Sequence, residues 1–290
     1  MFKKLLTIFI LSLFLFVPFK SAWGLSKQQV KKHNEMLYTV VLVEGPAGSG
    51  SGTVIFSDEL TVDDEKEYHN YILTNHHVIS MAITIKKEWD PNLGKERKKE
   101  SRRPVEATWH IYNDYSHMIG SRSQKAEIVA YNDRLDLALL RLRDRERPID
   151  GPVATLLPDG EKIYLYDEVW LSGAGLGEPP FSSFGHISNL DRIIEGEPYF
   201  LTTSPIIYGD SGGALFRYSV KRDKYELIGV PSKVRIVGWG MPVTHMAMSI
   251  PIDTVRDFLR ENCYHEILDE PLGEDCSSIG EIEYDYEEDD

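Results

Sequence analysis

One serine stands among glycines late in the chain, in residues 208–216 with the sequence YGDSGGALF. Glycines allow backbone angles that other residues avoid, and a hydroxyl displayed on such a turn is a candidate nucleophile. The same residue types also occur in ordinary turns, because Asp and Ser side chains bond back to the local backbone. A nucleophilic role for Ser211 therefore requires a histidine base and a carboxylate elsewhere in the sequence.

A histidine pair follows an apolar stretch in residues 73–79, LTNHHVI, and functional side chains concentrate in loops that follow strands. Two carboxylates are candidates to orient the base. Asp136 lies in the sequence RLDLALLRL of residues 134–142, which predicts a buried strand, and a buried charge needs a partner. Asp133, in a turn-like Asn-Asp pair, is the alternative. The strand context favours Asp136.

Taken together, these segments resemble the catalytic segments of chymotrypsin-fold serine proteases. Residues 74–78 (TNHHV), 136–139 (DLAL) and 209–213 (GDSGG) occur in the order His, Asp, Ser, about sixty and seventy-five residues apart. The resemblance is closest to the HtrA (DegP-like) branch and extends over roughly residues 40–259. The stretches that carry it are residues 50–55 (GSGTVI), 173–177 (GAGLG), 185–188 (GHIS), 226–230 (ELIGV) and 249–255 (SIPIDTV).

The resemblance implies an all-β fold of two six-stranded antiparallel β-barrels with a C-terminal α-helix, over residues 25–262. Only about thirty residues follow that helix, so the PDZ domain usual in HtrA proteases is not expected. Asp210 stands where the family more often has Asn, and what satisfies this carboxylate is left open.

The chemistry that the resemblance implies is acyl transfer. Ser211 would attack the scissile carbonyl, His77 would take its proton and return it to the leaving amine, and Asp136 would orient the imidazole. The family pattern places the base directly before Val78. His77 is therefore the predicted base, and His76 only its neighbour.

The family pattern also assigns supporting residues. Backbone N–H groups of Gly209 and Ser211 are expected to form the oxyanion hole, and Ser232 resembles the serine that bonds the catalytic aspartate from behind. An apolar pocket predicts cleavage after Val, Ala, Ile or Leu in unfolded polypeptide, with little cleavage after charged residues. The pocket residues are expected to be Pro205, Ile206, Ile207, Val234 and Ala247.

Local patterns predict many short strands. Runs of β-branched and aromatic residues occur at 37–43, 52–56, 71–74, 126–131, 168–171, 199–202 and 225–230. A helix is predicted over residues 253–262, with Pro251 in its first turn and Val255, Phe258 and Leu259 on one face. The basic segment 86–104 is expected to be a solvated loop, with a grip on acidic substrate segments as the functional alternative.

The two ends of the chain carry further signals. Residues 1–24 have two lysines, an apolar run and small residues at positions 22 and 24, which predicts a signal peptide and a secreted or periplasmic protein. An uncleaved membrane anchor is the alternative, but the run is shorter than the ~20 residues that span a bilayer. No stable membrane insertion is expected once the signal is removed. Residues 263–290 form an extension with an acidic tail.

In an oxidising compartment, Cys263 and Cys276 can close a disulfide loop; two free thiols or an intermolecular bridge are the alternatives. With 46 Asp and Glu against 32 Lys and Arg, the chain should repel nucleic acid. A zinc site from His69, His76 and His77 lacks a further ligand at suitable spacing, so neither a metal nor another cofactor is predicted.

Polypeptide substrates are the predicted partners. The resemblance also implies a homo-oligomer joined through residues 25–36. Two other functions compete with peptide hydrolysis: a catalytically silent binding protein of the same fold, and an ester hydrolase. The first would normally lack a member of the triad, and the second would more naturally carry a Gly-x-Ser-x-Gly motif, which residues 209–213 do not match.

Overall fold

The computed structural model describes residues 25–62, 65–90, 94–273 and 276. Strands dominate these residues and the helices are short, which confirms the predicted all-β class. The predicted signal peptide (residues 1–24) and acidic tail (residues 281–290) lie outside the described residues. Among the helices that the structure describes, none is long and apolar enough to cross a membrane.

Six antiparallel strands close into the first barrel, in the order β1-β2-β3-β8-β7-β6. Alternate side chains point inward along each strand, and aliphatic residues such as Val41, Ile72 and Leu140 fill the interior. The strands are β1 (Val40–Gly45), β2 (Gly48–Val62), β3 (Glu65–Thr74), β6 (Val105–Asn113), β7 (His117–Asn132) and β8 (Leu137–Leu142).

Six further antiparallel strands form a second ring, which closes because β13 pairs with both β10 and β14. A seventh strand, β9, comes from the segment between the barrels and pairs in parallel with β14, outside this six-stranded ring. The strands are β9 (Thr155–Leu156), β10 (Glu168–Gly173), β11 (Phe181–Ile194), β12 (Glu197–Thr202), β13 (Ala214–Ser219), β14 (Lys224–Val237) and β15 (Met241–Pro251).

The predicted basic loop is instead a two-stranded hairpin. Strands β4 (Ile83–Asp90) and β5 (Lys95–Arg102) pair over their whole length in an antiparallel register. Alternating Ile, Lys and Trp side chains in ITIKKEWD suit an extended strand, and high charge alone does not prevent pairing. The prediction that this segment is exposed to solvent was correct for most of its side chains, but the prediction of a loop was wrong, because the segment forms two paired strands.

Three α-helices complete the described chain. Helix α1 (Lys27–Lys32) begins with a capping box between Ser26 and Gln29, and a π-helical turn over His33–Leu37 continues it. Helix α2 (His76–Ile79) follows β3, and α3 (Ile252–Glu261) follows β15. Single 3₁₀ turns occur at Ser80–Ala82, Gly175–Gly177 and His265–Leu268.

The C-terminal helix matches its prediction closely. Val255, Phe258 and Leu259 are fully buried against the second barrel. Pro251 was expected in the first turn but lies at the N-cap, one position before the helix, which suits a residue that lacks a backbone N–H. A disulfide bond between Cys263 and Cys276 follows the helix, and it is the intramolecular bridge that was expected.

Candidate active site

The predicted base lies where the chain leaves the first barrel. β3 ends at Thr74, and α2 begins two residues later, so His77 lies in the first turn of that helix. The His77 Nδ1 atom lies 2.9 Å from both carboxylate oxygens of Asp136. The backbone N–H of His77 also donates to Asp136 Oδ1, at 3.0 Å. One carboxylate thus orients both the ring and the main chain of the histidine.

The sequence predicted that Asp136 lies inside a strand, but the residue lies in the turn directly before β8. Its φ of +55° is left-handed, a region that Asp enters more readily than most residues. The tight connection from β7 to β8 explains this conformation: the Asn132 side chain accepts hydrogen bonds from the N–H groups of Arg134 and Leu135. Asp133, the alternative, is exposed in the same turn.

The Asp136 carboxylate is buried but well supplied with donors. Ser232 donates its hydroxyl to Oδ2 at 2.6 Å, from β14 of the second barrel. Burial raises the pKa of Asp136, but the hydrogen bonds from His77 and Ser232 outweigh it, and the pKa lies below its ordinary value. The carboxylate is therefore held ionised, the state that can support a positively charged imidazole.

The two neighbouring histidines are engaged differently. His76 stacks on Tyr131, with ring centroids 5.1 Å apart, and burial lowers its pKa. His69 lies between Glu67 and Tyr71, with one ring nitrogen bonded to each. Within the described residues, no three His, Cys, Asp or Glu side chains form a group that could hold a metal ion.

Ser211 lies in the loop between β12 and β13 of the second barrel. Its hydroxyl donates to the backbone carbonyl of Ser232 at 3.3 Å. Ser232 therefore contacts two predicted triad members, Asp136 through its side chain and Ser211 through its main chain. This residue links the histidine and aspartate of one barrel to the serine of the other.

The backbone around Ser211 is tightly constrained. Gly209 has a φ of +97°, and a Cβ atom there would lie 2.6 Å from the Leu176 nitrogen, so only glycine fits. The N–H groups of Asp210, Gly212 and Gly213 donate to the carbonyls of Ile207, Pro231 and Asp210. Across the described residues, the N–H groups of Gly209 and Ser211 donate to no protein atom. These two are the donors predicted for an oxyanion hole.

Ser51 is a residue of this site that the sequence reasoning missed. Its side chain donates to the Gly209 carbonyl at 2.6 Å and accepts from the Ala174 N–H at 2.7 Å. Its backbone N–H donates to the Ser211 carbonyl at 2.7 Å. The GSG motif of residues 50–52 signalled a resemblance, but nothing in it indicated that this buried hydroxyl joins β2 to the nucleophile loop.

Asp210 is the second buried carboxylate near the site. Its Oδ2 accepts from the Ile207 N–H at 2.8 Å, whereas Oδ1 has no hydrogen-bond partner within the described part of the chain. Gly173 and Gly175 pack against that oxygen, and a Cβ atom at either position would lie within 3 Å of it. Burial raises the pKa of Asp210 to about 6, and the Ile207 N–H only partly opposes it.

The predicted pocket residues fall into two groups. Val234 and Ala247 lie opposite each other in β14 and β15, and Ile206 packs in the same buried cluster as Ala247. Ile207 is partly buried against Gly175, and the Pro205 carbonyl accepts from the Ser183 hydroxyl. Pro205, Ile206 and Ile207 belong to the loop that leads to Ser211, and Val234 and Ala247 belong to strands of the second barrel. Two cavities of about 290 and 380 Å³ lie elsewhere and include neither these residues nor the triad.

Comparison with known protein families identifies the chain. Residues 50–222, more than half of the chain, match the family model described as a trypsin-like peptidase domain. The protein belongs to this family. The match includes the segments that hold His77, Asp136 and Ser211. No curated protein is significantly similar to the chain in sequence.

Solved structures of an HtrA-type protease and of a serine endoprotease show the same fold. The HtrA-type protease AlgW with a tripeptide is 20% identical, with a TM-score of 0.56, and the match covers 82% of this chain and 64% of AlgW. A serine endoprotease from Yersinia pestis is 18% identical, with a TM-score of 0.53, and the match covers 86% of this chain and 70% of that protein. This trypsin-like chain therefore spans less than two thirds of AlgW.

Proposed function

We propose that this trypsin-like protein is an exported serine endopeptidase that hydrolyses polypeptides through an acyl-enzyme. The observation that carries the proposal is the connection from His77 through Asp136 and Ser232 to Ser211, which crosses the junction of the barrels. A nucleophile, a base and an orienting carboxylate in this relation are the requirements of acyl transfer.

In the proposed mechanism, the Ser211 hydroxyl turns from the Ser232 carbonyl to His77 Nε2 when substrate binds. Its oxygen attacks the scissile carbonyl carbon while His77 takes the proton, and the carbonyl oxygen becomes an oxyanion that the N–H groups of Gly209 and Ser211 stabilise. His77 then protonates the leaving amine as the C–N bond breaks. Water attacks the resulting ester by the same route, which releases the acid and restores Ser211.

Labelling with a fluorophosphonate probe, followed by digestion of casein, tests this proposal. Wild-type protein should be labelled at Ser211 and should digest casein, and Ser211→Ala should do neither. A protein that is neither labelled nor active supports the silent binding protein instead. Labelling with hydrolysis of esters but not of casein supports the ester hydrolase.

Substrate preference is part of the proposal. Of the predicted pocket residues, Pro205, Ile207 and Val234 are apolar and only partly buried, which favours cleavage after Val, Ala, Ile or Leu. Each methylene discriminates by only about 1–3 kcal/mol, so the preference should be broad. Mass spectrometry of a digested denatured protein checks this, and cuts clustered after charged residues would contradict it.

Export to the periplasm or the medium is also proposed, and so is assembly into a homo-oligomer. The disulfide between Cys263 and Cys276 supports an oxidising compartment. Mature protein from such a compartment should begin near Leu25, which amino-terminal sequencing would establish. Sedimentation of the mature chain would measure its oligomeric state. Protein that retains residues 1–24 and stays in the membrane fraction would contradict removal of the signal.

A further inference from the structure

The hairpin of β4 and β5 carries a concentration of positive charge on an acidic protein. Its two strands have seven Lys and Arg side chains against four acidic ones, whereas the whole chain has 32 against 46. Most of these side chains are exposed, and so is Trp89, at 65%. The hairpin is therefore a basic surface of opposite sign to the rest of the molecule.

The root of this hairpin is fixed to the first barrel. Arg102 is buried, and its guanidinium donates to the Ile128 carbonyl at 2.7 Å and lies 4.9 Å from the centre of the Tyr131 ring. The Tyr131 hydroxyl donates to Glu100 at 2.9 Å. These contacts hold the hairpin in one orientation at its base.

The same tyrosine places the hairpin beside the candidate active site. Tyr131 also contacts the ring of His76, with the two ring centroids 5.1 Å apart, and His76 is the residue next to the predicted base His77. The chain also runs from α2 through one 3₁₀ turn directly into β4. The basic surface thus starts at the rim of the site.

Strand periodicity decides which side chains face that rim. Alternate residues of a strand share a face, so Lys98 lies on the face of Glu100, which contacts Tyr131. Across the hairpin, Lys98 is opposite Lys87, and Trp89 follows on the same face. Two lysines, an exposed tryptophan and Glu96, which is opposite that tryptophan, therefore lie on the side of the hairpin that carries the Tyr131 contact.

One pair of like charges faces each other on this side of the hairpin. Lys87 is opposite Lys98, whereas the register places Glu88 opposite Arg97 and Asp90 opposite Lys95, which are pairs of opposite charge. A cross-strand pair of like charges destabilises a sheet, and a long contact of 3.9 Å from Lys87 to Glu96 relieves this only weakly in water. A bound acidic group would remove this repulsion, so the arrangement favours the binding of acidic groups.

We propose that the hairpin is an exosite for acidic segments of polypeptide substrates. This inference rests on the proposed function, because a substrate held at Ser211 is a polypeptide that must leave the site past its rim. Lys87 lies four residues beyond the hairpin root, about 13 Å at ~3.3 Å per residue. Acidic residues at least about four positions from the scissile bond should reach it.

Binding is tested first, in the inactive Ser211→Ala protein. The probe is a fluorescein-labelled peptide with a run of eight acidic residues, and fluorescence anisotropy measures its affinity. The double variant Lys87→Glu/Lys98→Glu should bind roughly tenfold more weakly, and 0.3 M salt should reduce binding to the parent protein. Lys221→Glu/Lys224→Glu, an equal charge change on exposed residues of the second barrel, is the control. Equal affinity of the two double variants would overturn the exosite.

Turnover is tested next, with two peptides that share a scissile bond and differ only in an acidic or a glutamine flank. The ratio of their kcat/KM values should favour the acidic peptide in wild type, and Lys87→Glu/Lys98→Glu should bring that ratio to one or below. Cleavage of both peptides at equal rates by wild type would refute the exosite alone. Absence of any cleavage, with binding intact, would refute the proposed peptidase function.

Two other occupants of the hairpin give distinct results. A chain that ends at residue 276 tests the protein's own acidic tail: a tenfold gain in peptide affinity upon deletion would show that the tail occupies the hairpin and would overturn the proposal. A DNA oligonucleotide of equal charge tests general anion binding. If the oligonucleotide binds as tightly as the peptide, the surface does not select polypeptides and the proposal fails.

Discussion

Two buried aspartates of this trypsin-like protein, Asp136 and Asp210, differ in how their charge is supported. Asp136 receives hydrogen bonds from the His77 ring, the His77 backbone and Ser232, and its pKa is lowered. Asp210 receives one from the described residues, donated by Ile207, and its pKa is raised to about 6. Burial is common to both, so the number of donors decides whether the buried carboxylate stays ionised.

The largest expected loss of activity comes from replacing Ser211 or His77, the histidine that Asp136 orients. Ser211→Ala and His77→Ala should each lower kcat by as much as about a million-fold, and the double variant should lose little more, because the residues act as a unit. Peptide hydrolysis by purified variants is the measurement. His76→Ala is the matched control and should keep most activity. Loss of activity in His76→Ala with retention in His77→Ala would reverse the assignment of the base.

Asp136→Asn tests the better supported carboxylate itself. The amide keeps the shape but cannot stabilise an imidazolium, and it favours the wrong tautomer of His77, so kcat should fall about 10⁴-fold. Asp133→Asn, in the same turn, should have little effect on kcat. Similar losses in the two variants would show that the turn, and not the carboxylate of Asp136, matters for activity.

Asp210→Asn tests the poorly supported carboxylate through the pH dependence of stability. The pKa of Asp210 is about 6 when folded, against 3.8 for an ordinary Asp, so the folded wild type binds the extra proton between these pH values. Its free energy of unfolding should therefore fall by about 3 kcal/mol as pH rises from 3.5 to 8, and the asparagine variant should lack that loss.

Denaturant unfolding of both proteins across this pH range measures the difference. Asp136 is the opposite case, because its pKa is lowered in the folded protein. It contributes stability that is present above the unfolded pKa and is lost as pH falls through the folded pKa, and Asp136→Asn should lack this contribution. Stability curves for Asp210→Asn and wild type that run parallel with pH would contradict the burial account.

Ser232→Ala is expected to have the smallest effect. It removes one of the three donors to Asp136 but leaves both contacts with His77 and the backbone carbonyl that faces Ser211. A roughly tenfold loss in kcat/KM is expected, since a hydrogen bond to a charged group contributes about 1.5–3 kcal/mol and water can replace part of it. Ser232→Thr, which keeps a hydroxyl, should restore activity. Failure of that rescue would indicate a packing role.

Several features could be predicted because they depend on short stretches of sequence. The turn glycines around Ser211, the histidine pair after β3 and the apolar face of α3 are local patterns, and the structure contains each of them. The strand predicted over residues 37–43 begins three residues later in the structure, where β1 runs over Val40–Gly45. The segment 86–104 was predicted to be a loop because of its high charge, although its alternating side chains allow β4 and β5 to pair.

What the sequence by itself determined is the set of chemical groups and their order along the chain: histidine, aspartate, serine and the glycines that permit the nucleophile turn. Only the tertiary structure decided how those groups are supported. The contacts of Ser51 with Ala174 and of Ser232 with Asp136 join residues 123 and 96 positions apart, and the Asp210 Oδ1 atom lies against distant glycines. Such contacts follow from the packing of one barrel on the other, which no local pattern of residues encodes.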